Sequence, residues 1–216
     1  MIRMVDDKNF MKTGTTTIAV KCKDGVVLAA DKRVTSGYLV ANKKFNKIIN
    51  INDKIAVTTA GTVSDVQLMV KLLKAELKLK DIRTNRESFV NEAVNLLSNL
   101  VYSNIRKFSI IPGISHFIVG GTDNKGQHIF DVGADGSVTE IDDYVSSGSG
   151  SVMAYGVLEA LYKEDLAVQE AVSIAKKAIN AAVQRDIASG NGIDIVTITN
   201  KGVKKELTKQ VSYKIE

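Results

Sequence analysis

Thr15 is the residue with the clearest chemical potential in this chain. It follows Gly14 and opens the run Thr15-Thr16-Thr17. A threonine hydroxyl is a weak nucleophile unless a base stands beside it. Cutting the chain between Gly14 and Thr15 would supply that base, because a freed α-amine has a typical pKa of ~7.7–8.0 and is partly neutral near physiological pH. Pairing a threonine hydroxyl with its own terminal amine is one route to an activated nucleophile. The plainer explanation of three threonines is a strand, since β-branched residues suit extended backbone. Further polar groups gather at predicted strand ends and turns: Asp31-Lys32-Arg33, Lys47, Gly61, Ser149, and Asp186 with Ser189.

Those groups need a scaffold, and the apolar periodicity describes one. Residues 15–23 alternate, with Ile18, Val20 and Cys22 on one face, which predicts a half-buried strand. Asp24-Gly25 is a hairpin signal. Residues 26–30 form a more continuously apolar second strand, so more deeply buried. Residues 34–46 show no sustained alternation. Strands follow at 47–51 and 55–60. The second runs into Gly61, where a glycine lets backbone approach a ligand closely. Val63, Val66, Met69, Val70, Leu73 and Leu77 then recur at helical spacing. A second helix carries Val90, Ala93, Val94, Leu97, Val101 and Ile105, with Thr84 or Asn85 as its cap. Strands resume at 115–120, 127–132 and 137–141. Residues 146–151 read as a turn into a helix marked by Val152, Met153, Gly156, Val157 and Leu161. The last helix shows Val168, Ala171, Val172, Ala175, Ile179, Ala182 and Val183. Residues 193–199 are a strong strand, and 203–216 supply one more. Strands in blocks and helices in pairs disfavour an alternating parallel sheet. They predict an α+β domain of two antiparallel sheets packed together and covered by helix pairs.

Composition narrows the function classes. A chain of 216 residues fits one large domain. The formal net charge is +5 and its basic residues are scattered, with no Trp and no aromatic-interleaved basic cluster. That excludes a nucleic-acid footprint. No apolar run approaches the ~20 residues of a membrane helix, and residues 1–14 lack the apolar segment of a secretory signal. Cys22 is the only cysteine. It excludes an intrachain disulfide, fits a reducing compartment and is expected as a small buried hydrophobe. His116 and His128 are too few for a His-rich metal site and are expected to be structural. No metal and no cofactor is expected.

Taken in order, the motifs carry a resemblance. They are TG-TTT at 13–17, GVVLAAD-x-R at 25–33, Lys47 fourteen residues past Arg33, TTAG at 58–61, SGSG at 147–150, and RD-x-x-S at 185–189. In combination the chain resembles β subunits of the proteasome core particle, which are threonine proteases of the N-terminal-nucleophile hydrolase fold. The likeness runs from Thr15 to about residue 200. It implies a four-layer αββα sandwich, with residues 1–14 an autocatalytically removed propeptide and 15–216 a single catalytic domain. By the resemblance, Thr15 is the nucleophile and its freed amine moves the proton. Lys47 lowers the pKa of the hydroxyl, and Asp31 holds Lys47. The Gly61 N–H donates to the oxyanion, while Ser149, Asp186 and Ser189 position the amine. The pocket for the residue before the cut corresponds to Val34, Phe45, Ile49, Thr59 and Val63, which implies a preference for hydrophobic residues. The Thr15 hydroxyl would itself attack the Gly14 carbonyl to release the leader. The resemblance also implies homo-oligomeric seven-membered β rings stacked with α-subunit rings, ATP-driven caps, unfolded polypeptide substrates and a cytoplasmic location.

Each feature alone has an ordinary structural explanation. Lys47 sits near Lys43 and Lys44 and would by default be a solvated charge, and Asp31 could pair with Lys32 or Arg33. Two other functional readings share the fold: a noncatalytic ring subunit, and a different N-terminal-nucleophile amidohydrolase acting on a small molecule.

Overall fold

The computed structural model describes residues 14–110 and 112–211. Of the leader, only Gly14 falls within them, and the tail beyond 211 also lies outside. The strands are β1 (Thr17–Cys22), β2 (Gly25–Asp31), β3 (Val34–Ser36), β4 (Leu39–Asn42), β5 (Ile48–Asn50) and β6 (Ile55–Gly61), then β7 (Ser115–Asp123), β8 (Gly126–Val132), β9 (Val138–Ile141), β10 (Tyr144–Ser147), β11 (Gly192–Thr199) and β12 (Gly202–Gln210). The helices are α1 (Val63–Thr84), α2 (Val90–Arg106), α3 (Ser151–Leu161) and α4 (Val168–Arg185).

Two five-stranded sheets result, ordered β10-β1-β2-β11-β12 and β5-β6-β7-β8-β9, with β3 and β4 as a separate hairpin. Every pairing is antiparallel. The core falls into three layers. Ile18, Val20, Val27 and Ala29 pack with Leu158, Ala171, Ala175 and Ile179, so α3 and α4 cover the first sheet. Val57, Val119 and Val132 pack with Leu73, Leu77, Val94 and Leu97, so α1 and α2 cover the second. Ala19, Val26, Leu28 and Ala30 meet Ala56, Ile118 and Ile129 between the sheets. This is the expected αββα sandwich.

Local expectations differ from this at several points. β1 is buried on both faces, because Ala19 faces the second sheet while Ile18 and Val20 face the helices. Only Lys21 breaks its burial, so the strand is more than the half-buried one that alternation predicts. Thr84 and Asn85 do not cap α2. Thr84 closes α1, and Asn85 terminates it in the left-handed region at φ 50°. The α2 start is held instead by the Glu92 carboxylate, which accepts from the Phe89 N–H at 2.8 Å, as an N3 acid does in a capping box. On α3 the buried residues are Ala154 and Leu158, whereas Val152 is 76 % exposed. The short strands β3, β4 and β10 lacked the apolar alternation that would have marked them. Cys22 is buried, as expected. Burial pushes its thiol up to about 12, with Asp24 and Glu170 adding to the effect.

Candidate active site

The site lies at one end of the inter-sheet layer, where β2, β6 and β10 end and β1 and β11 begin. Asp31 is its anchor. It is fully buried and accepts four hydrogen bonds. Oδ1 takes the Thr16 N–H at 2.9 Å and Lys47 Nζ at 2.6 Å. Oδ2 takes the Arg33 N–H at 2.9 Å and the Gly190 N–H at 3.0 Å. That fills the lone-pair sites of a carboxylate. Lys47, one residue before β5, is 2 % exposed, so it is not a solvated charge. Burial pushes its ammonium below its ordinary value, against the charge and hydrogen bond of Asp31, which hold it up. Asp186 supports Asp31 in this, and Arg33 opposes it. Lys32 does not pair with Asp31 but turns to Asp194.

Thr15 is buried, and its hydroxyl donates to the Gly14 carbonyl oxygen at 2.7 Å. Its backbone N–H donates to Ser149 Oγ at 3.3 Å. Ser149 in turn donates to Asp186 Oδ2 at 2.6 Å. Ser189 donates to the same oxygen at 2.6 Å and meets Thr16 Oγ1 at 2.7 Å. Asp186 is the C-cap of α4, a place where the helix dipole disfavours an acid. The two hydroxyls and the Ala188 N–H at 3.3 Å offset that cost. The glycines here are required by space. A Cβ on Gly14 would fall 1.7 Å from Ala188 Cβ. Gly61 has φ +112°, and a Cβ on it would fall 2.2 Å from the Ile114 carbonyl oxygen.

Thr15, Lys47 and Gly61 line one small cavity together with Gly14, Val34, Phe45, Thr59 and Val63. Ala60 and Val66 complete its wall. Of the five residues expected for a substrate pocket, Ile49 is the exception. It packs against the core beneath α1 and α2, in the layer that also holds Val66 of the cavity wall. Ser149, Asp186 and Ser189 reach Thr15 and Thr16 through the hydrogen bonds above. Three further residues complete the network. Thr16 joins both networks, through its N–H to Asp31 and its hydroxyl to Ser189. The Gly190 N–H supports Asp31. Arg33 holds the loop after α4, with Nε donating to Asn191 Oδ1 at 2.8 Å and Nη1 to the Ile187 carbonyl at 2.7 Å. Thr16 and Arg33 lie within the TG-TTT and GVVLAAD-x-R motifs, whereas no motif marks Gly190. Among the described residues, no group of three or more His, Cys, Asp or Glu side chains is placed to hold a metal.

Two antiparallel sheets between helix pairs, with a threonine heading the first strand over a buried lysine, define the N-terminal-nucleophile hydrolase fold. A family model described as "Proteasome subunit" matches residues 11–198, and the chain belongs to the proteasome subunit family. Similar proteins include one named "Proteasome subunit beta" from Ferroglobus placidus, 46% identical over 198 residues, which are 92% of this chain and 91% of the relative. One of the same name from Nanoarchaeum equitans is 44% identical over 191 residues, 88% of this chain and 96% of the relative. Another, from Archaeoglobus profundus, is 42% identical over 215 residues, covering 100% of this chain and 97% of the relative.

Proposed function

We propose that this chain is the catalytic β subunit of a proteasome core particle, a threonine endopeptidase activated by cleavage of its own Gly14-Thr15 bond. One observation carries the reading: Thr15, Lys47 and Gly61 line a single cavity, with the Thr15 hydroxyl 2.7 Å from the carbonyl oxygen of Gly14. In the first step the hydroxyl oxygen attacks the Gly14 carbonyl carbon and the C–N bond breaks. An ester joins Gly14 to the Thr15 side chain, and the amine is released. Water then hydrolyses the ester, which frees residues 1–14 and regenerates the hydroxyl.

In the mature site the α-amine accepts the hydroxyl proton as the oxygen attacks a substrate carbonyl. The Lys47 cation favours the developing alkoxide. The Gly61 N–H donates to the tetrahedral oxyanion, a contact commonly worth about 3–4 kcal/mol. Ser149, Asp186 and Ser189 hold the amine in place. The leaving amine takes a proton, and water hydrolyses the acyl ester. Val34, Phe45 and Val63 bring no charge to the pocket, which supports cleavage after hydrophobic residues. Family membership supports assembly into core rings. We place the chain in seven-membered β rings stacked on α-subunit rings and fed unfolded polypeptide by ATP-driven caps in the cytoplasm. No helix among the described residues is long and apolar enough to cross a membrane.

The test is peptide hydrolysis by particles assembled with the α subunit, using fluorogenic peptides with hydrophobic, basic or acidic residues before the cut. The expected result is hydrolysis fastest after hydrophobic residues and absent in Thr15→Ala. Hydrolysis that survives Thr15→Ala would refute the assignment.

A further inference from the structure

At the site end, side chains join the two sheets on both flanks of β6, and the chemistry above uses only one flank. On the β5 side, Lys47 reaches across to Asp31 at the end of β2. On the β7 side, His116 reaches across to Ser147 at the end of β10, with Nδ1 2.6 Å from Ser147 Oγ. The other ring nitrogen, Nε2, lies 2.6 Å from Asp131 Oδ1 on β8. A carboxylate oxygen only accepts, so Nε2–H donates to Asp131, and in the neutral ring Nδ1 accepts from the Ser147 hydroxyl. The ring is gripped at both nitrogens, which sets its tautomer and its orientation.

The strand register puts both ends of this link beside the reacting groups. His116 pairs with Ala60, and its neighbour Ser115 pairs with Gly61. Ser147 pairs with Thr17, and Ser146 Oγ donates to the Thr17 carbonyl at 2.9 Å. The chain leaves Ser147 through Gly148 and enters Ser149. Gly148 lies so close to Thr15 that an added Cβ would fall 2.0 Å from the Thr15 carbonyl oxygen. Three other hydrogen bonds between the sheets lie at the opposite end. They run from Thr122 to Thr199, from Gln127 to Lys23, and from the Val203 N–H to Asp53. Gly61 ends a strand of one sheet, whereas Thr15 leads into β1 and Ser149 follows β10 of the other, so their separation depends on what joins the sheets at this end.

We infer that His116, held by Asp131 and bonded to Ser147, is a positioning residue that sets the Gly61 N–H against Thr15. The inference rests on the proposed roles of those two residues. An oxyanion donor acts only as charge develops, so misplacing it lowers kcat rather than raising KM. Small displacements suffice, since a shift of about 1 Å can cost as much as 10²-fold.

The experiment measures peptide hydrolysis by assembled particles carrying His116→Ala, His116→Gln or His128→Gln. His128 is a control of like chemistry, bonded to Asp123 and Glu140 away from the site. Wild type and Thr15→Ala are run beside them, so failure of the threonine mechanism shows separately, as an inactive wild type or an active Thr15→Ala. For His116→Ala the expected result is a kcat lower by about tenfold with KM within about twofold. Glutamine keeps one donor and one acceptor, so His116→Gln is expected to recover most of the loss, and His128→Gln to behave as wild type. An unchanged kcat in His116→Ala, a loss lying in KM, or a loss that glutamine does not restore would overturn the inference. If His116→Ala does not assemble, Ser147→Ala carries the test: it removes one hydroxyl and is expected to lower kcat in the same way, and an unchanged kcat there also overturns it.

Discussion

Two buried lysine–aspartate pairs meet at the end of β2, and they do different work. Asp31 and Lys32 are neighbours, yet Asp31 takes Lys47 while Lys32 takes Asp194. Both pairs are sealed from water, with no side chain above 8 % exposed. The Lys32 pair ties β2 to β11 and β12: Asp194 also accepts from Thr208 at 2.8 Å and meets Lys205 Nζ at 3.5 Å. The Lys47 pair adjoins the cavity that Thr15 and Gly61 line, and neither Lys32 nor Asp194 lines it. Burial and pairing therefore do not by themselves mark a reactive lysine. A lysine whose partner is saturated by other donors, beside a nucleophile and an open volume, is what separates one pair from the other.

The largest expected effect breaks the comparison directly. Lys47→Ala should lower kcat by about 10³-fold, within the range for a group that assists proton transfer. Lys32→Met should leave kcat per folded site within about twofold. It should instead lower the thermal midpoint by roughly 10 °C, because removing one partner of a buried pair costs about 3–5 kcal/mol. Equal kcat losses in the two variants would erase the distinction. Next in size is Asp186→Asn, which keeps the shape but weakens the acceptor for Ser149 and Ser189. It should lower kcat by about 10- to 100-fold with a near-normal melting temperature, as a fault in positioning a base would. A smaller effect sharpens the sealed half: replacing Lys32 and Asp194 together by apolar residues of similar volume should regain much of the stability lost in Lys32→Met. A double variant no more stable than the single one would mean that the pair does more than fill space.

The smallest effect concerns a third, surface pair. Glu92 accepts from Arg86 at 2.6 Å and Lys80 at 2.7 Å. The Arg86 hydrogen bond leads in pulling its carboxyl from 4.5 to about 2. A depressed acid stabilises the fold fully above its unfolded pKa, and that contribution disappears as pH falls through the folded value. The contribution of Glu92 should therefore be complete above pH 4.5 and vanish toward pH 2. Solvent screening keeps it under ~1 kcal/mol. Comparing acid melts of wild type and Glu92→Gln checks this, and parallel acid limbs would count against it.

Much of the fold was legible because its long elements obey simple periods. Val66, Met69, Val70, Leu73 and Leu77 marked the buried face of α1, and residues 193–199 marked β11. What stayed hidden was short or depended on distant partners. β10 is four residues of Tyr-Val-Ser-Ser, a strand only because β1 accepts it. The site residues and the Asp31–Lys47 pairing came from the resemblance alone, since nothing local tells Asp31 to take Lys47 over the adjacent Lys32. His116 reads in the sequence only as a structural histidine: its partners Ser147 and Asp131 lie thirty-one and fifteen residues away.

The most direct measurement of the central claim is intact mass, taken on the chain assembled with its α partner and read beside peptide hydrolysis. Wild type should lose residues 1–14 and hydrolyse peptide, while Thr15→Ala should keep its leader and remain inactive. Assembled particles that hydrolyse peptide with the Gly14-Thr15 bond still intact would contradict a mechanism in which the Thr15 amine is the base.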